Sequence, residues 1–332
     1  MDKQEILFKA GDEYFAYRIP VLATTSKGTL LAFCEARMGS ASDHATIDLV
    51  YKRKEKGKEW SSSIKLKGNN VDTFHNPCLI IDDDKVHLLY AINYLQAFHC
   101  VSYDDGLTFV EEKEITSVYP KLPSAEIAIG PCAGIKFNGK LIVPSWVVLG
   151  NGKNKWAMSF EGVLYSENGG KDWAYNPMKV ETAPSPNESM LVVLPSGKVL
   201  INCRHNGDVR RRLVLESDDG INYYNERFDE TLTEQRVMAS IISTPDGIMF
   251  SNPAYCETFN DWKDRKGLAI RLSTDECKTW QYTRTVCEDW ASYSHLGRVD
   301  EQYYLLYETN LRDGNAMDLV LFTFDKNWIK GE

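Results

Sequence analysis

The sequence predicts an all-β protein, a six-bladed β-propeller with four-stranded antiparallel blades, on three observations. One eight-residue pattern recurs five times, the stretches between its copies are short aliphatic or aromatic runs bounded by turn residues, and no stretch sustains a 3.6-residue apolar period. The 332 residues are 26% charged and 43% hydrophobic, the balance of a globular chain able to bury a large core. With no linker-like or low-complexity stretch dividing it, the chain reads as one closed domain over 1–332.

The five copies are Arg53–Trp60 (RKEKGKEW), Ser102–Phe109 (SYDDGLTF), Ser166–Trp173 (SENGGKDW), Glu216–Tyr223 (ESDDGINY) and Ser273–Trp280 (STDECKTW), with the consensus S-x-D-x-G-x-T-W. Position three holds Glu55, Asp104, Asn168, Asp218 and Asp275; position five holds Gly57, Gly106, Gly170, Gly220 and Cys277; position eight is always aromatic. An acidic side chain that accepts backbone N–H groups, a glycine free to take positive φ and an aromatic anchor together make a tight turn between antiparallel strands. That turn accounts for every position, so Asp104, Asp218 and Asp275 read as structural carboxylates. Arg53 and Glu55 in the first copy and Cys277 in the fifth depart from the consensus and predict distorted turns. The copies start 49, 64, 50 and 57 residues apart, room for one four-stranded sheet each. At about 55 residues per blade the chain makes about six, the last without a copy.

The strand runs follow in order as Thr29–Glu35, Val86–Ile92, Lys140–Pro144, Lys198–Arg204, Leu268–Leu272, Tyr303–Tyr307 and Asp318–Phe324. Turn pairs such as Asn138-Gly139 and Ser196-Gly197 precede several of them.

Charge and composition exclude several functions. The 38 Lys+Arg against 47 Asp+Glu leave a formal charge of −9, which argues against non-specific binding to nucleic acid or anionic membrane. An anionic ligand would need a local arginine cluster. The longest apolar run, Leu141 to Leu149, is broken by Pro144 and Ser145 and falls short of the ~20 residues that span a bilayer. The N-terminus lacks the basic start and apolar stretch of a signal peptide, so the expected location is cytoplasmic, or secreted where a signal has been removed. Eight cysteines lie scattered with no CxxC and read as reduced thiols, and six histidines show no metal-ligand spacing. No catalytic metal and no cofactor is expected.

Residues outside the repeat carry the functional reading. Tyr17-Arg18-Ile19-Pro20 is followed by Glu35-Ala36-Arg37 and by Asp43 five residues before Asp48; Asn187-Glu188 precedes a strand run ending in Arg204; Asn252-Pro253 leads to Arg265; Ser292-Tyr293-Ser294 and Leu306-Tyr307-Glu308 follow. With an R-I-P motif, the repeated aspartate boxes and these positions in order, the chain resembles the exo-α-sialidase (neuraminidase) superfamily of glycoside hydrolases from about Tyr14 to Glu308. The resemblance implies a sialidase-like propeller and a retaining exo-α-sialidase acting on sialylated oligosaccharides or glycoconjugates. It implies that Arg18, Arg204 and Arg265 bind the substrate carboxylate, with Arg271 a rival for the third place, and that Arg37 lines the same side. Asp43 is then the acid/base, Tyr293 the nucleophile, Glu188 its base and Glu308 the residue that orients Arg18.

The chemistry needs these residue types. A sialoside carries a carboxylate on its anomeric carbon, and planar guanidinium groups meet it with bidentate charge-assisted bonds that lysine cannot copy. That negative charge repels an anionic nucleophile, whereas a neutral phenol activated by a neighbouring carboxylate can approach. Sialidases, with a tyrosine nucleophile, are an exception to the two-carboxylate scheme of glycosidases.

Weaker candidates are His75-Asn76-Pro77 and Trp146, as sugar-contacting rim residues or plain loop packing, and Arg210, Arg211 and Arg212, whose adjacency on a strand predicts a mixed rim role. Asn187-Glu188-Ser189 matches a glycosylation sequon by chance, since a glycan would obstruct the site. Ile129 to Gly134 keeps the family's Gly-Pro-Gly-like loop only in part. Rival readings are sialyl transfer to a sugar or intramolecular release of an anhydro product, hydrolysis of a deaminated (Kdn-type) nonulosonic acid, and a non-catalytic sialoside-binding propeller. A lectin would need the arginines but not Asp43, Glu188 and Tyr293.

Overall fold

In the computed structural model six antiparallel sheets stand in sequence around a central axis, a six-bladed propeller. The structure describes all residues but 1, 12, 122–124, 150–157, 256–260 and 332, so Cys256 lies outside the described residues. Blade 1 comprises, from axis to rim, Ala16–Thr24, Leu30–Arg37, Ile47–Lys54 and Ile64–Lys67. The innermost strands of blades 2 to 6 are Phe74–Asp82, Ala125–Ile129, Pro186–Val193, Ser240–Thr244 and Ser294–Val299. All seven expected strand runs coincide with strands, two of them, Thr29–Glu35 and Lys198–Arg204, starting one residue early. Two short additions depart from the uniform pattern: Cys132–Ala133 pairs in parallel with the innermost strand of blade 2, and Ile135–Phe137 pairs with Lys140–Leu149 of blade 3.

Blade 6 is completed from the other end of the chain. Lys3–Phe8 pairs with Asp318–Phe324, Lys3 opposite Thr323, and becomes its outermost strand. This closure protects the edges that an open sheet would expose. Apolar clusters fill the wedges between neighbouring blades, such as Leu22, Leu30, Leu306 and Leu321 between blades 1 and 6. Each buried leucine there contributes about 1.5–3 kcal/mol.

The boxes join the third and fourth strands of blades 1 to 5. In the second, Asp104 accepts from Thr108 N at 2.8 Å and from Leu107 N at 3.1 Å, and Ser102 Oγ accepts from Gly106 N at 2.9 Å. The fourth box corrects the expectation. Its serine is Ser217 and its carboxylate Asp219, which accepts from Ile221 N and Asn222 N, both at 2.8 Å, whereas Asp218 accepts from the Tyr224 hydroxyl. The copy is one residue shorter than the consensus, and aligning from the aromatic end hid that.

The fifth box is not distorted: Cys277 takes φ +63° and its N–H reaches Ser273 Oγ at 2.9 Å, matching the glycine-bearing copies. The first box is altered, Glu55 pairing with Lys58 and Arg53 instead of backbone N–H groups. Boxes also clamp blades together. Gly220 lies so near Ile142 of blade 3 that a Cβ would stand 2.3 Å from its side chain, so glycine is required there on space as well as φ.

Register places the boxes at one end of the barrel and the candidate residues at the other. In blade 1 Ala16 pairs with Arg37 while the box end lies by Thr24 and Leu30; in blade 4 Asn187 pairs with Arg204 while Ser217 pairs with Val199. The starts of innermost strands and the ends of second strands therefore share one face.

Candidate active site

On that face segments of blades 1, 4, 5 and 6 meet around Tyr293. Arg18 leaves the innermost strand of blade 1 at a bulge, where Ile19 takes φ +59°, an unusual conformation for a β-branched residue and one that marks a constrained site. The constraint comes from Glu308, fully buried in the second strand of blade 6. Its carboxylate accepts from Ile19 N at 3.0 Å, from Arg18 Nε at 3.1 Å and from Tyr293 N at 3.3 Å. One carboxylate thus aligns both the guanidinium and the tyrosine backbone.

The Tyr293 phenol donates to Glu188, with its oxygen 2.5 and 2.7 Å from the two carboxylate oxygens, and accepts from Arg204 Nη1 at 2.9 Å. Arg204 Nη1 also donates to Glu188, while its buried Nε has no partner among the described residues. The guanidinium carbons of Arg18 and Arg265 lie 5.3 and 5.6 Å from the centre of the Tyr293 ring. Burial and the Glu188 charge push the phenol well above its ordinary pKa, against the three arginines. The proton therefore stays on the phenol.

Arg265 is buried, donating to Ser292 Oγ at 2.9 Å and to the carbonyls of Gln235 and Arg236; among the described residues no carboxylate pairs with it. Burial, with Arg204 and Arg18 nearby and Tyr293 opposing, lowers its pKa to about 10. A buried cation without a counter-charge is a seat for an anion. Arg271 is elsewhere, bonded to Asn252 Oδ1 at 3.0 Å in the blade 5 sheet.

Asp43 stands at the rim, its side chain 48% exposed, with Oδ1 2.7 Å from Arg37 Nη1 and 3.2 Å from Arg18 Nη1. Burial favours its protonated form, but Arg37 and Arg18 outweigh it and hold the carboxyl below the usual carboxylate range. Arg37 is itself locked by Glu35, at 2.6 and 3.0 Å, and Glu35 also accepts from Asn76 N at 2.9 Å. Asp48 faces away, accepting from Tyr14 and Lys65.

The structure thus brings Arg18, Arg37, Asp43, Glu188, Arg204, Arg265, Tyr293 and Glu308 into one constellation. It separates others from it. His75 is fully buried, stacked on Tyr94 at 3.7 Å, and burial lowers its pKa to about 3, leaving it neutral packing. Trp146 is buried with its indole donating to Gly130 O. Arg212 is sealed in the blade 4 sheet with Glu234 at 2.6 Å, so it has no rim role, and Arg211 bonds the carbonyl of Glu230. Six of the seven described cysteines are buried and Cys287 is half-buried. Sequence reasoning quoted Glu35 and Ser292 only as neighbours of Arg37 and Tyr293 without giving them a role, and it missed the carbonyls of Gln235 and Arg236, which carry no local motif.

The BNR repeat-like domain family matches residues 28–305. A sialidase of Bacteroides fragilis is 26% identical over 356 residues, an alignment covering 91% of this chain and 62% of the relative. The Hadza microbial sialidase Hz136 superposes with a TM-score of 0.83 at 24% identity, over 98% of this chain and 69% of its own. The chain belongs to the sialidase superfamily.

Within the superfamily the fold extends to a leech intramolecular trans-sialidase solved with 2,7-anhydro-Neu5Ac, with a TM-score of 0.81, 17% identity, and coverage of 99% of this chain and 71% of that one. At this identity the similarity is one of fold.

Proposed function

We propose that this sialidase-superfamily chain, acting over 1–332 as one catalytic domain, is an exo-α-sialidase that hydrolyses terminal sialic acid with retention through a sialyl-tyrosine. The observation that carries the proposal is the Tyr293 phenol, hydrogen-bonded to both oxygens of Glu188 and surrounded by three guanidinium groups. A buried phenol with a base and a positive field on every side is an activated nucleophile for an anionic sugar.

The steps follow from the geometry. The substrate carboxylate takes Arg18, Arg204 and Arg265. Glu188 receives the phenol proton as the phenol oxygen bonds the anomeric carbon, and Asp43 protonates the departing glycosidic oxygen. Water, deprotonated by Asp43, then displaces the tyrosine, whose oxygen recovers its proton from Glu188. In the free site Asp43 is ionised by Arg18 and Arg37 and cannot serve as acid. A substrate carboxylate on Arg18 shares that positive charge and adds a negative one, and both raise the proton affinity of Asp43. Binding itself thereby arms the acid.

The test is release of fluorophore from an aryl α-sialoside by the wild type beside Tyr293→Phe. Turnover that collapses in the variant supports the reading. A folded wild type that binds the sialoside without cleaving it would move the assignment to a lectin, and an anhydro or transfer product would redirect it to those chemistries.

A further inference from the structure

Behind Glu188 lies a second carboxyl group that these steps do not use. Glu161, in the third strand of blade 3 (Ser159–Ser166), is fully buried and has no cation paired with it among the described residues. Its Oε2 lies 2.7 Å from Ser189 Oγ, and the same hydroxyl oxygen lies 2.6 Å from the carbonyl of Asn187. A hydroxyl carries one hydrogen, and a carbonyl and an ionised carboxylate can only accept. Two such contacts on one hydroxyl therefore need a second hydrogen, and only Glu161 can supply it.

The location gives that hydrogen a purpose. Asn187 pairs with Arg204 and Ser189 with Cys203, so Glu188 is the extra residue of a bulge in the innermost strand of blade 4. Bulges re-aim a side chain. The Ser189 hydroxyl bonds across this bulge to the Asn187 carbonyl, and the strand of blade 3 holds both ends, Glu161 meeting Ser189 and Ser159 Oγ meeting Asn187 Nδ2 at 3.4 Å.

We propose that Glu161 is kept as a neutral carboxylic acid and acts as a positioning residue: its proton is donated to Ser189, Ser189 donates to the Asn187 carbonyl, and the strap aims Glu188 at Tyr293. The catalytic half of this inference rests on the sialidase reading. The titratable groups around Glu161 are Glu188, Tyr119, Tyr175, Cys132, Cys203 and Tyr223, of which only Glu188 carries charge at neutral pH in the arrangement described. Burial pushes the Glu161 carboxyl well up, and the Glu188 charge adds to the shift. An ionised Glu161 would also raise the proton affinity of Glu188 and favour its protonated form, which cannot accept the phenol proton.

The protonation state is tested by infrared difference spectroscopy of wild type minus Glu161→Gln at neutral pH. The carbonyl stretch of a protonated carboxylic acid is expected in the wild type and absent from the variant; no such band overturns the proposal whatever the activity. The positioning role is tested by kinetics. Glu161→Ala and Ser189→Ala should each lose about 10- to 100-fold in kcat with little change in KM, while Glu161→Gln, whose amide donates in the same place, stays within about 3-fold and loses the alkaline limb due to Glu161. Should Glu161→Ala not fold, Ser189→Ala carries the comparison. A Gln variant as impaired as the Ala variant, or an unimpaired Ser189→Ala, overturns the role. Inactive but folded wild type sinks the sialidase reading instead, and the infrared band still decides the state of Glu161.

Discussion

The two ends of the barrel use the same carboxylates, hydroxyls and backbone amides to opposite effect. At the box end every key bond is local: Asp275 meets Thr279 N four residues on at 2.9 Å, and Ser273 Oγ meets the N–H of Cys277. At the other end partners are remote, Tyr293 and Glu188 being 105 residues apart and Arg18 and Glu308 290. In the second to fifth boxes the carboxylate or amide of the turn and its serine are satisfied by the turn's own backbone. Around Tyr293 the balance is unfinished, with Arg265 lacking a carboxylate and Arg204 Nε lacking any acceptor among the described residues. Satisfied polarity builds the fold, and buried polarity left over builds the site.

The contrast is broken hardest at the phenol. Tyr293→Phe removes the proposed nucleophile while leaving its packing, and turnover should fall by at least about 10³-fold with little loss of stability, read by steady-state kinetics and thermal unfolding. Next comes the acid: Asp43→Ala should slow alkyl sialosides by about 10²- to 10³-fold and aryl sialosides far less, because a good leaving group needs no proton. Equal losses on both would refute the acid role. The unfinished charge is probed by Arg265→Lys, expected to cost about 10- to 100-fold in kcat/KM since an ammonium cannot meet a carboxylate in the bidentate mode.

The legibility of the molecule in its sequence divides along the same line. The boxes were readable because a turn needs neighbours in sequence, and even the fourth was misplaced by one residue only because Asp218 and Asp219 are adjacent. The positions of Arg18, Glu188, Tyr293 and Glu308 were readable through short motifs shared with a family. The closing strand Lys3–Phe8 was not, since its pairing with Asp318–Phe324 spans the whole chain. Nor were the roles of Glu35 and Ser292, though both stand in the quoted motifs, or the Gln235 and Arg236 carbonyls, which act through placement alone. Glu161 looked like any strand residue until its single shared hydroxyl was seen.

Smaller effects sharpen the comparison. Asp219→Ala should destabilise the fold by about 1–2 kcal/mol and Asp218→Ala by less than about 0.5 kcal/mol, both leaving kcat near wild type. Reversed values would restore the original alignment of that box. Despite the desolvation that opposes it, hydrogen bonds from Asn222 and Ile221 lower the pKa of Asp219 to about 2. The stability it contributes is therefore fully present above the ordinary carboxylate range and is lost as pH falls through about 2, which unfolding curves of Asp219→Ala against wild type would show. Smallest is the arming of Asp43: a carboxylate inhibitor should bind with uptake of a fraction of a proton near neutral pH, seen by calorimetry in buffers of different ionisation enthalpy and absent in Asp43→Asn.

The central claim is that Tyr293 forms a bond to the sugar. Incubation with a slow 3-fluorosialyl fluoride, acid quench, proteolysis and mass spectrometry should find the fluorosialyl adduct on the peptide bearing Tyr293 and none after Tyr293→Phe. Turnover of that reagent by the wild type with no adduct, or an adduct on Asp43 or Glu188, would contradict the account.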